Sequence, residues 1–216
     1  MPGAVLWDLD GTIVDSEEYH WLSWRDTVAA EGISITYEQF LVSFGQRNDA
    51  IIPAWLPEAS PRQIQLIGDA KEVEFRRLVR ERGINALPGV TAWVERLGEQ
   101  GWWQAIASSA PRANVEAILE AVGLGAHFRA VVTAADVKHG KPEPDVFLAA
   151  AGRLGIDPAR CIVVEDAAPG IEAARRAGMR SIGVSRNTAK LSDADIAVAS
   201  LQDLPADAFD RLTGGS

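Results

Sequence analysis

Cysteine is nearly absent from this chain of 216 residues, in which Cys161 is the single example. One cysteine cannot form a disulfide within the chain, and it cannot build a zinc site from several thiolates. Because Cys161 opens the apolar run 161–164, we expect it to be a buried small hydrophobic residue. Disulfide scaffolds and thiolate-type zinc sites are therefore excluded.

Long hydrophobic runs are missing as well, since no segment approaches the roughly 20 apolar residues that a membrane-spanning helix needs. The first residues, Met-Pro-Gly-Ala, lack the basic and apolar regions of a signal peptide. Together with the single cysteine, these features lead us to expect a soluble protein of the reducing cytoplasm.

Positive charge is in deficit. Lysine and arginine total 21 against 30 aspartate and glutamate residues, which gives a formal net charge of -9. Nucleic acids and anionic membranes are bound by basic surfaces, so we expect neither as a partner. A small anionic ligand would have to be held by a few local cations and backbone N–H groups.

What the chain does contain is an alternation of short apolar runs with helical segments, which predicts an α/β fold with a parallel sheet. We expect five strands at residues 4–7, 103–107, 130–133, 161–164 and 181–184, with a weaker sixth at 196–199. Apolar residues spaced i, i+3 and i+4 predict intervening helices at 91–100, 113–122, 145–154 and 171–177. These elements predict one doubly wound core.

One stretch interrupts the alternation, because no strand is expected between residues 16 and 82. Helical patterns there cover residues 17–30, 37–44, 49–56 and 61–82. We therefore predict a four-helix cap domain at 16–83 inserted into a core formed by 1–15 and 84–216. Two crossings of the chain would join the two domains, which is the arrangement of a hinged cap.

Two carboxylates follow the first strand, in the run Asp-Leu-Asp-Gly-Thr at 8–12. Asp8 and Asp10 could point into one crevice at the carboxyl end of that strand, where open α/β sheets bind ligands. Such a pair suits a nucleophile that forms an aspartyl-phosphate and an acid that protonates the leaving oxygen. A surface turn rich in aspartate and glycine is the alternative interpretation.

Three further positions follow later strands. Ser108 could offer a hydroxyl to a phosphate at a helix N-terminus, or could simply cap that helix. Lys141, between glycine and proline, could aim its ammonium into the crevice, or could be a solvated turn residue. Glu165 and Asp166 are hard oxygen ligands that suit Mg²⁺ together with Asp8, although Asp166 could also cap a helix. All would lie along one edge of the sheet, with Asp8 and Asp166 at the switch point if the fourth strand returns beside the first.

Taken in order and spacing, these motifs resemble those of the haloacid dehalogenase (HAD) superfamily. The run Val-Glu-Asp-Ala-Ala-Pro-Gly-Ile-Glu-Ala-Ala at 164–174 is similar to its β-phosphoglucomutase-like branch, whose members carry a helical cap after the first motif. The resemblance covers almost the whole chain. It implies a Rossmann-like core with a parallel sheet and an inserted helical cap.

The resemblance also implies roles for the acids. Asp8 would be the nucleophile and Asp10 the general acid/base. Mg²⁺ would be held by Asp8, the backbone carbonyl of Asp10 and Asp166, with Glu165 acting directly or through water. Dehalogenases of the superfamily lack the second carboxylate, so the presence of Asp10 resembles the phosphotransferases instead.

Phosphate binding would fall to Ser108 with the adjacent Ser109, and to Lys141. In the cap, the run 15–24 resembles the hinge and first cap helix of β-phosphoglucomutases and sugar phosphatases, which implies that His20 and Trp24 face the active site. Surface exposure of the histidine and core packing of the tryptophan are the alternatives.

The run 44–49 resembles the loop of the cap that determines specificity, and Arg47 could bind a distal group of the substrate there. Lys71 and Arg76 are further candidate cations of the cap, although a solvated helix face is the interpretation we favour for both.

The predicted function is a Mg²⁺-dependent phosphatase that acts on a small phosphorylated metabolite, a sugar phosphate in the first place. The alternative is a β-phosphoglucomutase, in which the same aspartyl-phosphate is passed to a sugar hydroxyl instead of water. A non-enzymatic module on the same scaffold is the third hypothesis, and the filled catalytic positions argue against it. The size and cap type are compatible with a monomer.

Overall fold

The structure is a computed structural model of the chain that describes residues 3–43, 46 and 48–214. It divides into two compact units, a sheet unit formed by Met1–Asp15 and Asn85–Ser216 and a helical unit formed by Ser16–Ile84. Ile84, which is predicted to belong to the core, falls in the helical unit.

Among the described residues, six strands form one parallel sheet in the sheet unit. They are β1 (Ala4–Trp7), β2 (Trp103–Ala107), β3 (Ala130–Val132), β4 (Cys161–Glu165), β5 (Arg180–Val184) and β6 (Ile196–Val198). Their order is β3-β2-β1-β4-β5-β6, so β1 and β4 are neighbours at the point where the winding changes direction. The predicted α/β fold and the return of the fourth strand beside the first are confirmed.

The helical unit contains four helices in its described part. They are α1 (Glu17–Ala30), α2 (Tyr37–Ser43), α3 (Asn48–Trp55) and α4 (Pro61–Arg82). The longest of these, α4, begins with a capping box in which Ser60 Oγ accepts the Gln63 N–H and the Gln63 side chain accepts the Ser60 N–H. Apolar side chains from all four helices form one buried cluster, which includes Trp24, Phe40 and Ile67.

The helices of the sheet unit follow in chain order. They are α5 (Val90–Glu99), α6 (Arg112–Val122), α7 (Asp145–Leu154), α8 (Ala168–Arg176) and the short α9 (Ala208–Leu212), which the sequence analysis did not predict. Helix α8 starts at Ala168, three residues before the predicted start, because Pro169 fits the first turn of a helix, where its missing N–H leaves no bond unmade.

Helices cover both faces of the sheet. On one face, Leu6 of β1 lies in a buried cluster with Phe147 of α7. On the other face, the Trp7 indole N–H donates to Gln104 Oε1 at 3.0 Å, and Gln104 Nε2 donates to the Val94 carbonyl of α5 at 2.8 Å. Because both faces are buried, β1 is apolar along its whole length rather than alternating, and so are the first four residues of β4.

Two expectations about single residues can be settled. Cys161 is fully buried, as predicted, and burial raises the pKa of its thiol to about 11. Thr133 was expected to end the third strand, but that strand ends at Val132. Thr133 instead donates its N–H and its hydroxyl to Asp136, each at 2.8 Å, and so begins a 3₁₀ turn.

Every helix in the described part of the chain is too short or too polar to cross a membrane.

Candidate active site

The candidate site lies at the carboxyl ends of the two central strands. Trp7 of β1 is in register with Val164 of β4, and the Asp8 N–H donates to the Val164 carbonyl at 3.0 Å. Asp8, which follows β1, and Glu165, the last residue of β4, are therefore brought side by side. The parallel register of β1 and β4 is therefore sufficient to bring the run 8–12 and the acid pair 165–166 together.

Three carboxylates form a compact group, which we call the acid cluster: Asp8, Glu165 and Asp166. Each offers an oxygen, and these oxygens all lie within 4.8 Å of one another. Asp8 and Glu165 are buried, and Asp166 is partly buried. Hard oxygen donors at this spacing fit a divalent cation such as Mg²⁺. The predicted contribution of Asp10 through its backbone carbonyl stays a prediction.

Lys141 is bound within the acid cluster. Its Nζ donates to Asp8 Oδ1 at 2.5 Å and to Glu165 Oε2 at 2.7 Å, and only 9% of its side chain is exposed. The alternative interpretation as a solvated turn residue is therefore wrong. Three carboxylates share this one ammonium, so the fully ionised group would carry an excess of negative charge.

Glu165 is the most constrained acid of the cluster. Its Oε2 accepts from Lys141, while its Oε1 accepts the backbone N–H groups of Asp166 and Ala167, each at 3.2 Å. Ala167 rather than Asp166 occupies the N-cap position of α8. The alternative in which Asp166 merely caps this helix is therefore wrong, and its carboxylate belongs to the acid cluster.

Burial opposes the ionisation of these acids. It raises the pKa of Asp8 to about 8, with the charge of Glu165 adding to the effect and Lys141 opposing it. It raises the pKa of Asp166 to about 9, with the charges of Glu165 and Asp8 adding. Burial by itself lowers the pKa of Lys141, but the charges of Asp8 and Glu165 outweigh it, so that pKa is raised. The cluster is short of positive charge, although its lysine stays charged.

The loop after β1 holds the second predicted catalytic acid. Asp10 is partly exposed and follows the buried Leu9. The chain then turns sharply at Gly11, whose φ is +84°, and the Gly11 N–H donates to the Val14 carbonyl at 2.8 Å. A side chain at Gly11 would lie 2.2 Å from Asp166 Oδ2, so this turn passes directly against the acid cluster.

The two serines after β2 differ in exposure. Ser108 is buried, its Oγ accepts the Ala110 N–H at 3.0 Å, and its own N–H donates to the Val132 carbonyl. Ser109 is exposed. Pro111 occupies the N-cap position of α6, so the alternative in which Ser108 caps this helix is wrong. The predicted phosphate-binding role of both serines stays a prediction.

The helical unit contains a second polar group, which we call the helical cluster: His20, Lys71, Glu72 and Asn48. Lys71 Nζ lies 2.9 Å from His20 Nδ1 and 3.1 Å from Glu72 Oε1, and Asn48 Nδ2 donates to that same oxygen at 2.7 Å. Lys71 is 2% exposed, so the solvated helix face that the sequence favoured for it is wrong.

Aromatic rings surround this cluster. The His20 ring stacks on Phe75 with centroids 4.3 Å apart, and Lys71 Nζ lies 5.4 Å from the centroids of Phe75 and Trp24. Trp24 is 2% exposed and packs edge-on against Trp55. It is therefore a core residue of the helical unit, as the alternative interpretation had it, and its contact with a substrate stays a prediction. Arg47 lies outside the described residues.

The burial of three polar residues, Lys71, Glu72 and Thr12, is not predicted from the sequence. Lys71 and Glu72 could have been found, because Lys71 occupies a position on α4 between the buried Ile67 and Phe75, at a spacing of four residues on each side. Thr12 was read only as part of its motif. Its Oγ1 is a buried atom without a hydrogen-bond partner in the described part of the chain, and no sequence signal reveals that.

Known proteins are similar to this chain in sequence and in fold. The family profile of haloacid dehalogenase-like hydrolases matches residues 5–184. Fructose-1-phosphate phosphatase YqaB of Escherichia coli is 34% identical over 182 residues, which cover 84% of this chain and 95% of that protein. The β-phosphoglucomutase of Bacillus subtilis is 31% identical over 210 residues, or 93% of this chain and 91% of that protein. The chain belongs to the haloacid dehalogenase-like hydrolase family.

A crystal structure of mutant CbbY from Rhodobacter sphaeroides in complex with xylulose-1,5-bisphosphate extends the similarity to three dimensions. Its TM-score is 0.85 at 27% identity, and the match covers 94% of this chain and 96% of that one. The resemblance to the β-phosphoglucomutase-like branch and the fold it implied are confirmed. These two relatives are a phosphatase and a phosphomutase, so the chain is an enzyme of this phosphoryl-transfer type.

Proposed function

We propose that the protein is a Mg²⁺-dependent phosphatase of sugar phosphates that works through an aspartyl-phosphate on Asp8. The observation that carries the proposal is the position of Asp8, a buried carboxylate at the end of a central strand that is 2.5 Å from the ammonium of Lys141. A carboxylate held beside a cation in a buried crevice is suited to attack a phosphate whose own charge must be offset.

In the first step, an Asp8 oxygen forms a bond to phosphorus while the bond from phosphorus to the sugar oxygen breaks. Asp10 donates its proton to that leaving oxygen. In the second step, Asp10 takes a proton from water, the water oxygen attacks phosphorus, and the Asp8–phosphorus bond breaks to release inorganic phosphate. The partly exposed position of Asp10 suits a group that must exchange protons with substrate and water.

Lys141 would bind an oxygen of the transferring phosphoryl group, because its ammonium is held at the nucleophile by Asp8 and Glu165. Ser108 would hold a second oxygen with its hydroxyl, and Ser109 would assist. In phosphoryl transfer most of the catalysis comes from positioning and charge, so these contacts would align the phosphorus with the Asp8 oxygen.

Mg²⁺ would be held by Asp8 and Asp166, with the backbone carbonyl of Asp10, and with Glu165 acting directly or through water. The excess of carboxylates over ammonium groups in the acid cluster supports this assignment. A bound Mg²⁺ would supply positive charge to a phosphoryl oxygen and to the ionised acids. With that charge in place, Asp8 would stay ionised and available as a nucleophile at neutral pH.

The helical unit would recognise the sugar. His20, Trp24 and Arg47 are the candidates from the sequence. Fructose-1-phosphate phosphatase among the relatives supports a sugar phosphate as the substrate. We further propose that the enzyme is a cytoplasmic monomer that binds no nucleic acid or membrane.

A β-phosphoglucomutase is the second candidate, supported by the 31% identity to that enzyme over 93% of this chain. The first step would be the same. The phosphoryl group would then pass from Asp8 to a sugar hydroxyl, with Asp10 accepting the hydroxyl proton in place of a proton of water.

Product analysis separates the two candidates. The purified protein is incubated with Mg²⁺ and fructose 1-phosphate, hexitol phosphates, or β-glucose 1-phosphate with a trace of a glucose bisphosphate. We expect inorganic phosphate from at least one substrate. Formation of glucose 6-phosphate without phosphate release would overturn the phosphatase in favour of the mutase, and no turnover of any of them would overturn both.

A further inference from the structure

The first turn of α8 carries a buried glycine, Gly170, at a place where a side chain cannot fit. A Cβ built on Gly170 would lie 2.1 Å from Glu165 Cδ, 2.1 Å from Oε2 and 2.4 Å from Cγ. Non-bonded carbon atoms approach one another only to about 3.5–4.0 Å. The side chain of Glu165 therefore occupies the volume that any other amino acid would fill at position 170.

Backbone conformation does not explain this glycine. The glycines with positive φ in the described part of the chain do not include Gly170, which has the ordinary geometry of a helical residue. An alanine could adopt that backbone and would favour the helix. The requirement for glycine is therefore one of space beside Glu165.

Glu165 cannot easily give way. It is 2% exposed, and each of its carboxylate oxygens accepts at least one hydrogen bond. Oε2 accepts from Lys141, and Oε1 accepts from the N–H groups of Asp166 and Ala167. A shift large enough to admit a methyl group would break contacts on both oxygens. It would also release Lys141, whose Nζ reaches Asp8 from this position.

We propose that Gly170 is a positioning residue of the active site, whose missing side chain lets Glu165 hold Lys141 against Asp8. It touches no reacting atom and acts only through Glu165. The consequence for catalysis rests on the function proposed above, whereas the steric relation between Gly170 and Glu165 does not. Gly11 is placed in a similar way against Asp166, but its positive φ adds a second reason for glycine there.

A double-mutant cycle tests the proposal: Gly170→Ala is made in the wild type and in Glu165→Ala, which removes the atoms that the new methyl group would meet. In the wild type we expect the Tm to fall by roughly 3–10 °C, as for overpacking of a well-filled site. In Glu165→Ala we expect the same substitution to leave the Tm unchanged or to raise it by up to about 4 °C. The fall in Tm therefore disappears when the Glu165 side chain is removed.

Hydrolysis of p-nitrophenyl phosphate with Mg²⁺ tests the catalytic consequence. We expect Gly170→Ala to lower kcat on the order of 100-fold in the wild type, because Lys141 loses its position, and to cause no further loss in Glu165→Ala. If the wild type hydrolyses no phosphate ester, the proposed function fails, and the thermal cycle still decides whether Gly170 makes room for Glu165.

Gly152 provides the matched control, since it is also a helical glycine of the sheet unit and a Cβ on it would meet nothing within 4 Å. Gly152→Ala should leave kcat unchanged and the Tm unchanged or slightly raised in both backgrounds. Should Glu165→Ala fail to fold, a crystal structure of Gly170→Ala replaces the cycle, because the proposal expects the Glu165 carboxylate to be displaced from Lys141 in that variant. An equal fall in Tm from Gly170→Ala in both backgrounds, or no effect of it in the wild type, would overturn the proposal.

Discussion

The two units of this protein each bury a lysine against a carboxylate, but they balance the charge differently. In the sheet unit, Lys141 lies between Asp8 and Glu165, and its side chain is 9% exposed. In the helical unit, Lys71 contacts Glu72 at 3.1 Å, and its side chain is 3% exposed. The same pair of residue types is therefore used twice under similar burial.

The difference lies in what surrounds each pair. Asp166 adds a third carboxylate to the acid cluster, and the pKa values of Asp8 and Asp166 are raised to about 8 and about 9. Lys71 and Glu72 offset one another's charge at 3.1 Å, while Lys71 also contacts the His20 imidazole and Glu72 accepts from the Asn48 amide. A compensated buried pair can serve structure, whereas an uncompensated group of acids favours the binding of a cation.

The largest effect is expected from Asp8→Asn, which removes the nucleophile but keeps the shape of the side chain. Turnover should fall on the order of 10⁴-fold or more, measured by release of inorganic phosphate. Stability should not fall with it. The folded pKa of Asp8 lies above its ordinary value of 3.8, so its ionisation opposes folding increasingly as the pH rises from about 4 to about 8. Without metal at pH 9, Asp8→Asn should therefore melt at or above the wild-type Tm.

Glu172→Gln is the control for Asp8→Asn, because it also exchanges an acid for an amide in the sheet unit. Glu172 lies on the surface of α8 and pairs with Arg175 and Arg176. Its turnover should equal that of the wild type. Full activity of Asp8→Asn would show that Asp8 is not the nucleophile.

The second effect is on stability in the helical unit. Lys71→Met removes the ammonium that lies 3.1 Å from the buried Glu72 carboxylate, so the free energy of unfolding should fall by roughly 3–5 kcal/mol, measured by urea denaturation. The double variant Lys71→Met with Glu72→Gln should recover most of the loss, because the carboxylate that faced the ammonium is then neutral as well. If the double variant is as unstable as the single one, charge compensation is not what holds this pair.

A third and smaller effect concerns the metal. Mg²⁺ at 100 times its Kd should stabilise the wild type by about 2.7 kcal/mol, which scanning calorimetry would record as a Tm rise of roughly 5–10 °C. At one fixed Mg²⁺ concentration the rise should be larger at pH 9 than at pH 6, because Asp8 and Asp166 must lose protons to bind the ion, which weakens binding at the lower pH. Asp166→Asn should reduce the rise, and Glu72→Gln should keep it. An equal rise in both variants would show that the ion binds elsewhere.

The smallest effect is expected on the surface. Glu172→Gln removes two ion pairs of α8, yet its Tm should change by no more than about 2 °C, because exposed pairs contribute little. A large loss of Tm in this variant would mean that the removal of any carboxylate destabilises this protein, and the contrast between the two clusters would disappear.

The sheet unit was readable in the sequence because its elements are local and its motifs are short. Strand β1 and the residues 161–164 of β4 are continuous apolar runs, and each run is followed directly by an acid, Asp8 or Glu165. Once the strands are parallel, the ends with the acids must lie at one edge of the sheet. The helical unit was readable as four helices but not as a polar cluster, because the spacing of Lys71 from Ile67 and Phe75 marks a buried position but does not show which polar side chains meet it there.

By itself the sequence determined the alternation of strands and helices, the family and the acids that meet at the sheet edge, since apolar periodicity and residues next to strand ends are properties of neighbouring positions. Only the tertiary structure decided that Lys141 lies between two carboxylates and that Lys71 is buried beside Glu72. It also decided that the Glu165 side chain fills the space that a side chain at Gly170 would need. These relations join residues through space and depend on how side chains share volume and charge. No short stretch of sequence encodes that sharing.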